Sequence, residues 1–397
     1  MAKPKLALIP STVGGSVYSV LPSNGDGDFD FSRASAATRI NAQGLIETVA
    51  VGDNRLNYPL LDGRVQTCPH LLLEPQRTNL ITYSESLSLT PIKNGTFTDN
   101  FAISPDGTQN ATKLTATDTD PFFYQSVSFS ALSYTASIYV KGIGSSIGKD
   151  FRIVLGAQST NPKLIIPSEW TRFEYTVTMP SGSYNAGLEI ADPAVIGDEV
   201  LVWGWQVEQG SYPTSYIVSN SGSATTRLAE VCDGSGNASK FNDSEGVLMA
   251  QISALANDGT YRVFGLSDGT GNNRIIIYYN PNINNIELFI ASGGSAQTTL
   301  SVTLSDVKLF QKVAVKYKIN DISLWINGFE LRTDTNATMP IGLNELLFNG
   351  NNGVEPFYGK TKQVQYFDSA LTDSELETLT SWMSCSDMAI DLNYTIQ

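Results

Sequence analysis

The sequence predicts an all-β protein: two antiparallel β-sandwich domains of jelly-roll type, preceded by a small irregular N-terminal unit. Three observations predict it. Charged residues make up only 16% of the 397. Gly, Ser, Thr and Asn are abundant, a mix that suits short strands and turns rather than helices, which favour Ala, Leu, Glu and Lys. Apolar and polar residues alternate with period two in run after run, with turn residues between the runs. Only one segment, near the C-terminus, carries a clear helix-start signature. The length suits two or three domains, and an apolar fraction of 41% is enough for packed cores.

Residues 1–80 read as an N-terminal unit. Leu6 to Ile9 is a first strand, and Asn24 to Asp28 is a turn running into Phe29-Asp30-Phe31. Ser32 to Asn41, Gly44 to Glu47 and Cys68 to Leu80 follow. The unit is too small and irregular to stand alone, so it is expected to pack against the next module or another subunit. Residues 81–220 carry regularly spaced strands: Ala111 to Ala116, Phe122 to Phe129, Tyr134 to Val140, Phe151 to Leu155, Thr171 to Thr178, Gly187 to Ile190 and Glu199 to Val207. Turns such as Ser104-Pro105-Asp106-Gly107 and Met179-Pro180-Ser181-Gly182 separate them, the pattern of an antiparallel sandwich. Trp203 and Trp205, two apart on the last strand, are expected to share one face.

Residues 221–244 read as a linker, because Ser219 to Ala224 has the composition of a flexible one. Residues 245–382 form the second sandwich, with strands Gly246 to Ile252, Tyr261 to Leu266, Arg274 to Tyr279, Asn285 to Ile290, Gln311 to Lys318 and Asp321 to Ile326. Asn320-Asp321 and Asn327-Gly328 are two-residue hairpin turns. A strand from Tyr358 to Asp368 leads to a short helix, where Thr372 and Glu375 form a capping box and Leu376 and Leu379 the apolar face. Residues 383–397 are a C-terminal tail.

The formal net charge is −14, which repels nucleic acid and anionic lipid alike and leaves neutral glycans as partners. No run approaches the ~20 apolar residues of a membrane span, and Pro10 cuts the first apolar patch too early for a signal-peptide core. Synthesis in a cytoplasm is the expectation. Cys68, Cys232 and Cys385 are odd in number and unpaired in spacing, hence free thiols. A Cys68–Cys232 bridge would require the N-terminal unit to pack near the linker.

Catalytic chemistry is mostly absent. His70 is the only histidine, which removes multi-histidine metal sites. Gly144 to Gly148 matches Gly-x-Ser-x-Gly, but a strand-like run follows it and the histidine precedes it, the reverse of a nucleophile elbow. Gly353 to Thr361 has one residue too many for a phosphate-binding loop. No glutamate has an aspartate two residues on, as the Glu-x-Asp-x-x-Glu strand of concanavalin-like hydrolases requires, so no enzyme is expected; a polysaccharide depolymerase built from carboxylates gathered by folding is the enzymatic alternative.

Two binding sites are candidates. Tyr278, Tyr279, Phe357 and Tyr358 lie near turns carrying Asn272, Asn273, Asn280, Asn349, Asn351 and Asn352. Aromatic rings stack on sugars and amides bond hydroxyls, so this loop cluster is a glycan-site candidate, with solvated loops as the alternative. Trp170, Trp203, Trp205 and Trp325 sit in or beside strands, where core packing is the ordinary role. Asp26, Asp28 and Asp30, with Asp118, Asp120 and Asp192, are acidic turns suited either to calcium or simply to water.

Three segments carry a resemblance: Ser32 to Arg39 with Leu71 to Leu80, the strand and turn Val202 to Tyr216, and the ending Phe357 to Leu379. They resemble bacteriophage virion proteins of the head-spike, head-fibre or tail-fibre kind, with a carbohydrate-binding-module-like jelly roll and a laminin-G/concanavalin-like domain. The resemblance implies a non-enzymatic attachment protein on the virion surface that binds host or environmental glycans. It implies other virion proteins as partners, with the N-terminal unit as anchor, assembly into a homo-oligomer such as a trimer, and no required cofactor beyond a structural calcium. A purely architectural virion protein making subunit contacts is the alternative.

Overall fold

In a computed structural model, described for residues 3–10, 16–61, 64–66, 68–156, 161–190, 194–351, 353–383 and 387–388, the regular structure of the chain is almost entirely antiparallel strand, joined by turns and loops. The middle sandwich stacks two five-stranded sheets. One runs in the order Ile92–Lys93, Phe122–Phe129, Gly182–Ile190, Asp150–Leu155, Leu164–Ile165. The other runs Gly95–Ala102, Ala111–Ala116, Glu199–Gln209, Ser133–Ile143, Thr171–Thr178. Leu114, Phe123, Ile138, Ile153, Leu188 and Trp205 fill the space between them.

The second sandwich is larger than its own sequence segment. Its five-stranded sheet runs Ser295–Thr303, Asn285–Ser292, Arg274–Tyr279, Arg262–Ser267, Glu345–Leu347. Its long sheet runs Phe329–Asp334, Ile322–Ile326, Gln311–Lys318, Glu245–Ala254, Gly359–Phe367, and is then completed from the N-terminal segment by His70–Leu73 and Leu56–Asn57. Leu6–Leu8 also pairs with Gly359–Phe367. Leu6, Leu8, Phe29, Phe31, Leu71 and Leu73 are buried in one core with Leu248, Phe264, Ile277 and Tyr366. The N-terminal segment therefore packs within its own chain and buries these residues there, while Ile9, Val20, Val51 and Leu60 stay exposed.

The middle sandwich is thus an insertion. The chain leaves through Arg77–Asn79 and returns through Thr225–Arg227, and these two strands pair antiparallel with Arg77 opposite Arg227. Val231–Asp233 then pairs with Phe29–Ser32. The segment expected as a linker is structured because its strands find partners in the N-terminal segment, far away in sequence.

Local details follow the chemistry. Asn327 and Gly328 both have positive φ, at 54° and 90°, in a two-residue turn that sets Ile326 against Phe329, the geometry of a type I′ hairpin. The earlier hairpin turns one residue sooner than its sequence suggests. Lys316 faces Ser323 and Asp321 N donates to Lys318 O, which puts Ile319 and Asn320 at the tip. The helix spans Asp373–Thr380 with both halves of the Thr372/Glu375 capping box formed, and it buries Leu376 and Leu379 against Val247, Trp325 and Phe367.

The two tryptophans do not share a face. Gly204 has φ +65°, and the pairing with Ser133–Ile143 shifts register between Ser137 and Tyr139. This bulge adds one residue and reverses the alternation beyond it. Trp205 enters the middle core beside Phe123. Trp203 points the other way, onto Tyr139, Tyr216 and Ile46. Cys68 is exposed, Cys232 buried, and both are free thiols, so the bridge between them does not form; Cys385 lies outside the described residues.

Candidate functional site

The expected glycan cluster divides over several places, and strand geometry explains why. In Arg274–Tyr279 successive side chains face opposite sides of the sheet. Ile275, Ile277 and Tyr279 point into the core, while Arg274 and Tyr278 stay partly open to solvent. Tyr279, only 2% exposed, and Tyr278 cannot belong to one sugar platform. Phe357 is 1% exposed and packs against Phe264, Tyr279 and Phe348. Asn280 is buried and donates to Asn285. Tyr279 and Phe357 belong to the core, so neither ring is open on the surface as a platform.

The amides of the β-turn region are tied up in local geometry. Asn273 Nδ2 donates to Asp268 Oδ2 at 2.8 Å, and Asn273 Oδ1 accepts from Gly293 N at 3.0 Å. Exposed Asn272 receives Gly294 N on its backbone carbonyl. Tyr358 and Asn349 line a separate cleft of about 120 Å³ beside Glu230 and Asp233. Asn349 donates there to Asp233, whose carboxyl burial pushes up. Half-buried Asn351 donates its backbone N–H to Asn349 Oδ1; Asn352 lies outside the described residues.

What remains open is the outer face of the five-stranded sheet. Tyr278 sits opposite Glu287, and its hydroxyl donates to that carboxylate. The Tyr261 ring, 41% exposed, lies 6.0 Å from the Tyr278 ring at an angle of 34°. On the next pair, Ile276 faces Phe289, which faces Thr299 in turn, and the Arg274 guanidinium lies 5.3 Å over the Phe289 ring. Two neighbouring tyrosine rings, a carboxylate and a guanidinium on one open face can stack a sugar ring and bond its hydroxyls. Of these residues only Tyr278 is in the sequence-derived cluster. The alternation of Asn285–Ser292, which sends Glu287 and Phe289 to the same side, is the signal that finds those two.

A second focus lies where the three segments meet. Glu230 takes Arg33 at 2.7 Å and, through both oxygens, Arg55. Glu74 takes Arg55 at 2.9 Å and Arg227 at 2.7 Å, and accepts from Ser215 N and Oγ. All five charged side chains are buried. Burial opposes the Glu74 charge, but Arg227 and Arg55 outweigh it and hold the carboxyl far below the usual glutamate range. The cluster locks the N-terminal segment, the end of the inserted sandwich and the returning chain to one another. It gives the phrases Ser32 to Arg39 and Leu71 to Leu80 a structural role that spacing alone does not reveal, since Arg33 and Glu230 are 197 positions apart.

The aspartates are spread out. Asp26 pairs with Lys240 at 2.9 Å and Asn24, Asp28 accepts from Ser19, and Asp30 is exposed on its strand. Asp118 accepts from Thr119 N, and exposed Asp120 turns the chain with φ 56°. Asp192 lies outside the described residues. No three His, Cys, Asp or Glu gather to hold a metal among the described residues. His70 is buried beside Asn57 and Phe310, and burial pushes its imidazole well below the usual range. Ser146 of the Gly-x-Ser-x-Gly match is buried and receives Glu199 N. No helix among the described residues is long and apolar enough to cross a membrane.

No protein-family model matches the chain, and no curated protein does. Among solved structures the chain is similar to the carbohydrate-binding module CBM40 of a Ruminococcus gnavus IT-sialidase, at 18% identity and a TM-score of 0.32, covering 38% of this chain and 94% of that one. It is similar to domain 4 of AbnA, a GH43 extracellular arabinanase from Geobacillus stearothermophilus, in complex with arabinotriose, at 14% identity and 0.32, covering 43% and 84%. A native heptameric SAP-like pentraxin from Limulus polyphemus is similar at 15% identity and 0.29, covering 34% and 70%. These values bear on no residue or ligand of this chain.

Proposed function

We propose that the chain is a non-enzymatic attachment protein of a bacteriophage virion, a fibre or spike component that binds glycans. The observation that carries the binding part is the open face of the five-stranded sheet, with the Tyr261 and Tyr278 rings side by side and Glu287 bonded to the Tyr278 hydroxyl. The virion part rests on the three segments that resemble phage proteins, and assembly into a homo-oligomer belongs to the same proposal. A purely architectural role is favoured by a different feature. The edge strand Phe329–Asp334 leaves Phe329 68% exposed with Leu331 beside it, an unpaired edge of the kind that joins another chain.

A glycan array on the whole protein, with and without calcium and followed by analysis of the bound sugars for cleavage, separates these readings. The attachment role predicts specific binding without cleavage, weakened about tenfold or more by Tyr278→Ala or Tyr261→Ala. Binding to no glycan would leave the architectural role, and release of reducing ends would make the chain an enzyme.

A further inference from the structure

The three segments enclose a cavity of about 190 Å³, walled by Thr38 and Asn57 of the N-terminal segment, Tyr139, Arg172 and Tyr212 of the inserted sandwich, and Lys360 of the long sheet. Its charge is out of keeping with the rest of the molecule. The chain carries 39 acidic residues against 25 Lys and Arg, yet two cations of this cavity have no carboxylate partner among the described residues. Arg172 Nη2 donates to Ser137 Oγ and Thr214 O, both at 2.8 Å, and its buried Nε has no hydrogen-bond partner among the described residues. The Lys360 ammonium makes no hydrogen bond and no ion pair among the described residues. The one carboxylate in the wall among the described residues, Glu74, is already taken by Arg55 and Arg227, and the third cation, Arg39, is answered by Glu47 at 2.6 Å.

The rest of the wall suits a polyol ring. Tyr139 and Tyr212 bring aromatic surface, and neither hydroxyl has a partner among the described residues. Pockets for drug-sized ligands run to ~300–1,000 Å³, so this one takes a single ring. We infer that the cavity binds one acidic sugar unit, its negative charge answered by Arg172 and Lys360 and its ring set against the two tyrosines. Burial now pushes the Lys360 ammonium below the usual lysine range, and an anion beside it would favour the charged form. The site is separate from the open sheet face and stands without it.

The test is titration calorimetry of the whole protein with D-glucuronate and D-galacturonate, against D-glucose, D-galactose and inorganic phosphate. The uronates are expected to bind about tenfold or more tightly than the neutral hexoses, and Lys360→Met to weaken them by a similar factor. Lys360→Met removes no side-chain hydrogen bond among the described residues, so it is expected to stay folded. Arg172→Gln gives up two and is compared only where its thermal unfolding matches the parent. Tyr278→Ala is expected to leave uronate affinity unchanged, which keeps this site and the sheet face distinguishable. Uronates binding no better than hexoses, affinity untouched by Lys360→Met, phosphate binding as tightly as the uronates, or loss of uronate affinity in Tyr278→Ala would each overturn the assignment.

Discussion

Gly204 decides where the largest side chains of the inserted sandwich go. Its φ of +65° is a conformation that costs an L-residue about 1–2 kcal/mol, and an added Cβ would stand 3.3 Å from Tyr139 Cδ2. Gly204→Ala is therefore expected to destabilise the protein by about 1–2 kcal/mol, read as a lower urea midpoint with an unchanged slope. An unchanged midpoint would mean that the bulge is not fixed here. The aromatic run is legible in the sequence as a buried late strand, and Trp203 and Trp205 are both buried. Their opposite directions are not legible, because the bulge depends on one glycine's backbone and leaves no mark on the apolar pattern. Adjacent Tyr278 and Tyr279 show the converse: strict period two separates them, and grouping both with the neighbouring turns as one cluster hides it.

At the scale of elements, the long-range strand pairs and the buried charges do the same work. Thr225–Arg227 and Val231–Asp233 are short strands in a stretch rich in Ser, Gly and Asn, and composition alone makes such a stretch a linker. What orders it is Arg227 and Glu230, whose partners come from the N-terminal segment. A sequence read locally shows isolated charges there and no reason to join them. Glu230 is the centre, since Arg33 and Arg55 both depend on it. Glu230→Gln leaves the buried Arg33 guanidinium without a carboxylate among the described residues and Arg55 with Glu74 alone, a loss of about 3–5 kcal/mol for a broken buried pair. Chemical denaturation is expected to show a fall of that size, and a loss below about 1 kcal/mol would place the cluster among weak, solvent-screened pairs.

For the whole molecule, the insertion makes the order of units along the chain differ from their order in space. The two large cores share no residue, so each sandwich carries its own hydrophobic stabilisation. The C-terminal segment is incomplete without the first 80 residues: Leu6, Leu8, Leu71 and Leu73 lie in its core. Four leucines at about 1.5–3 kcal/mol each amount to roughly 6–12 kcal/mol, comparable with the ~5–15 kcal/mol net stability of a domain. Residues 245–397 expressed alone are therefore expected to lack a cooperative thermal transition. By contrast, a chain in which residues 80–224 are replaced by Asn-Gly should fold, because Asn79 faces Thr225 in the antiparallel pair and a two-residue turn closes that geometry. That shortened chain loses Ser215 from the charge cluster and Tyr139, Tyr212 and Arg172 from the cavity, but keeps Tyr261, Tyr278 and Glu287 on the sheet face. It should melt cooperatively at a lower temperature, fail to bind uronates, and retain any glycan affinity that belongs to the face. Cooperative melting of residues 245–397 alone would show that the N-terminal strands are an addition to the sandwich and not part of it.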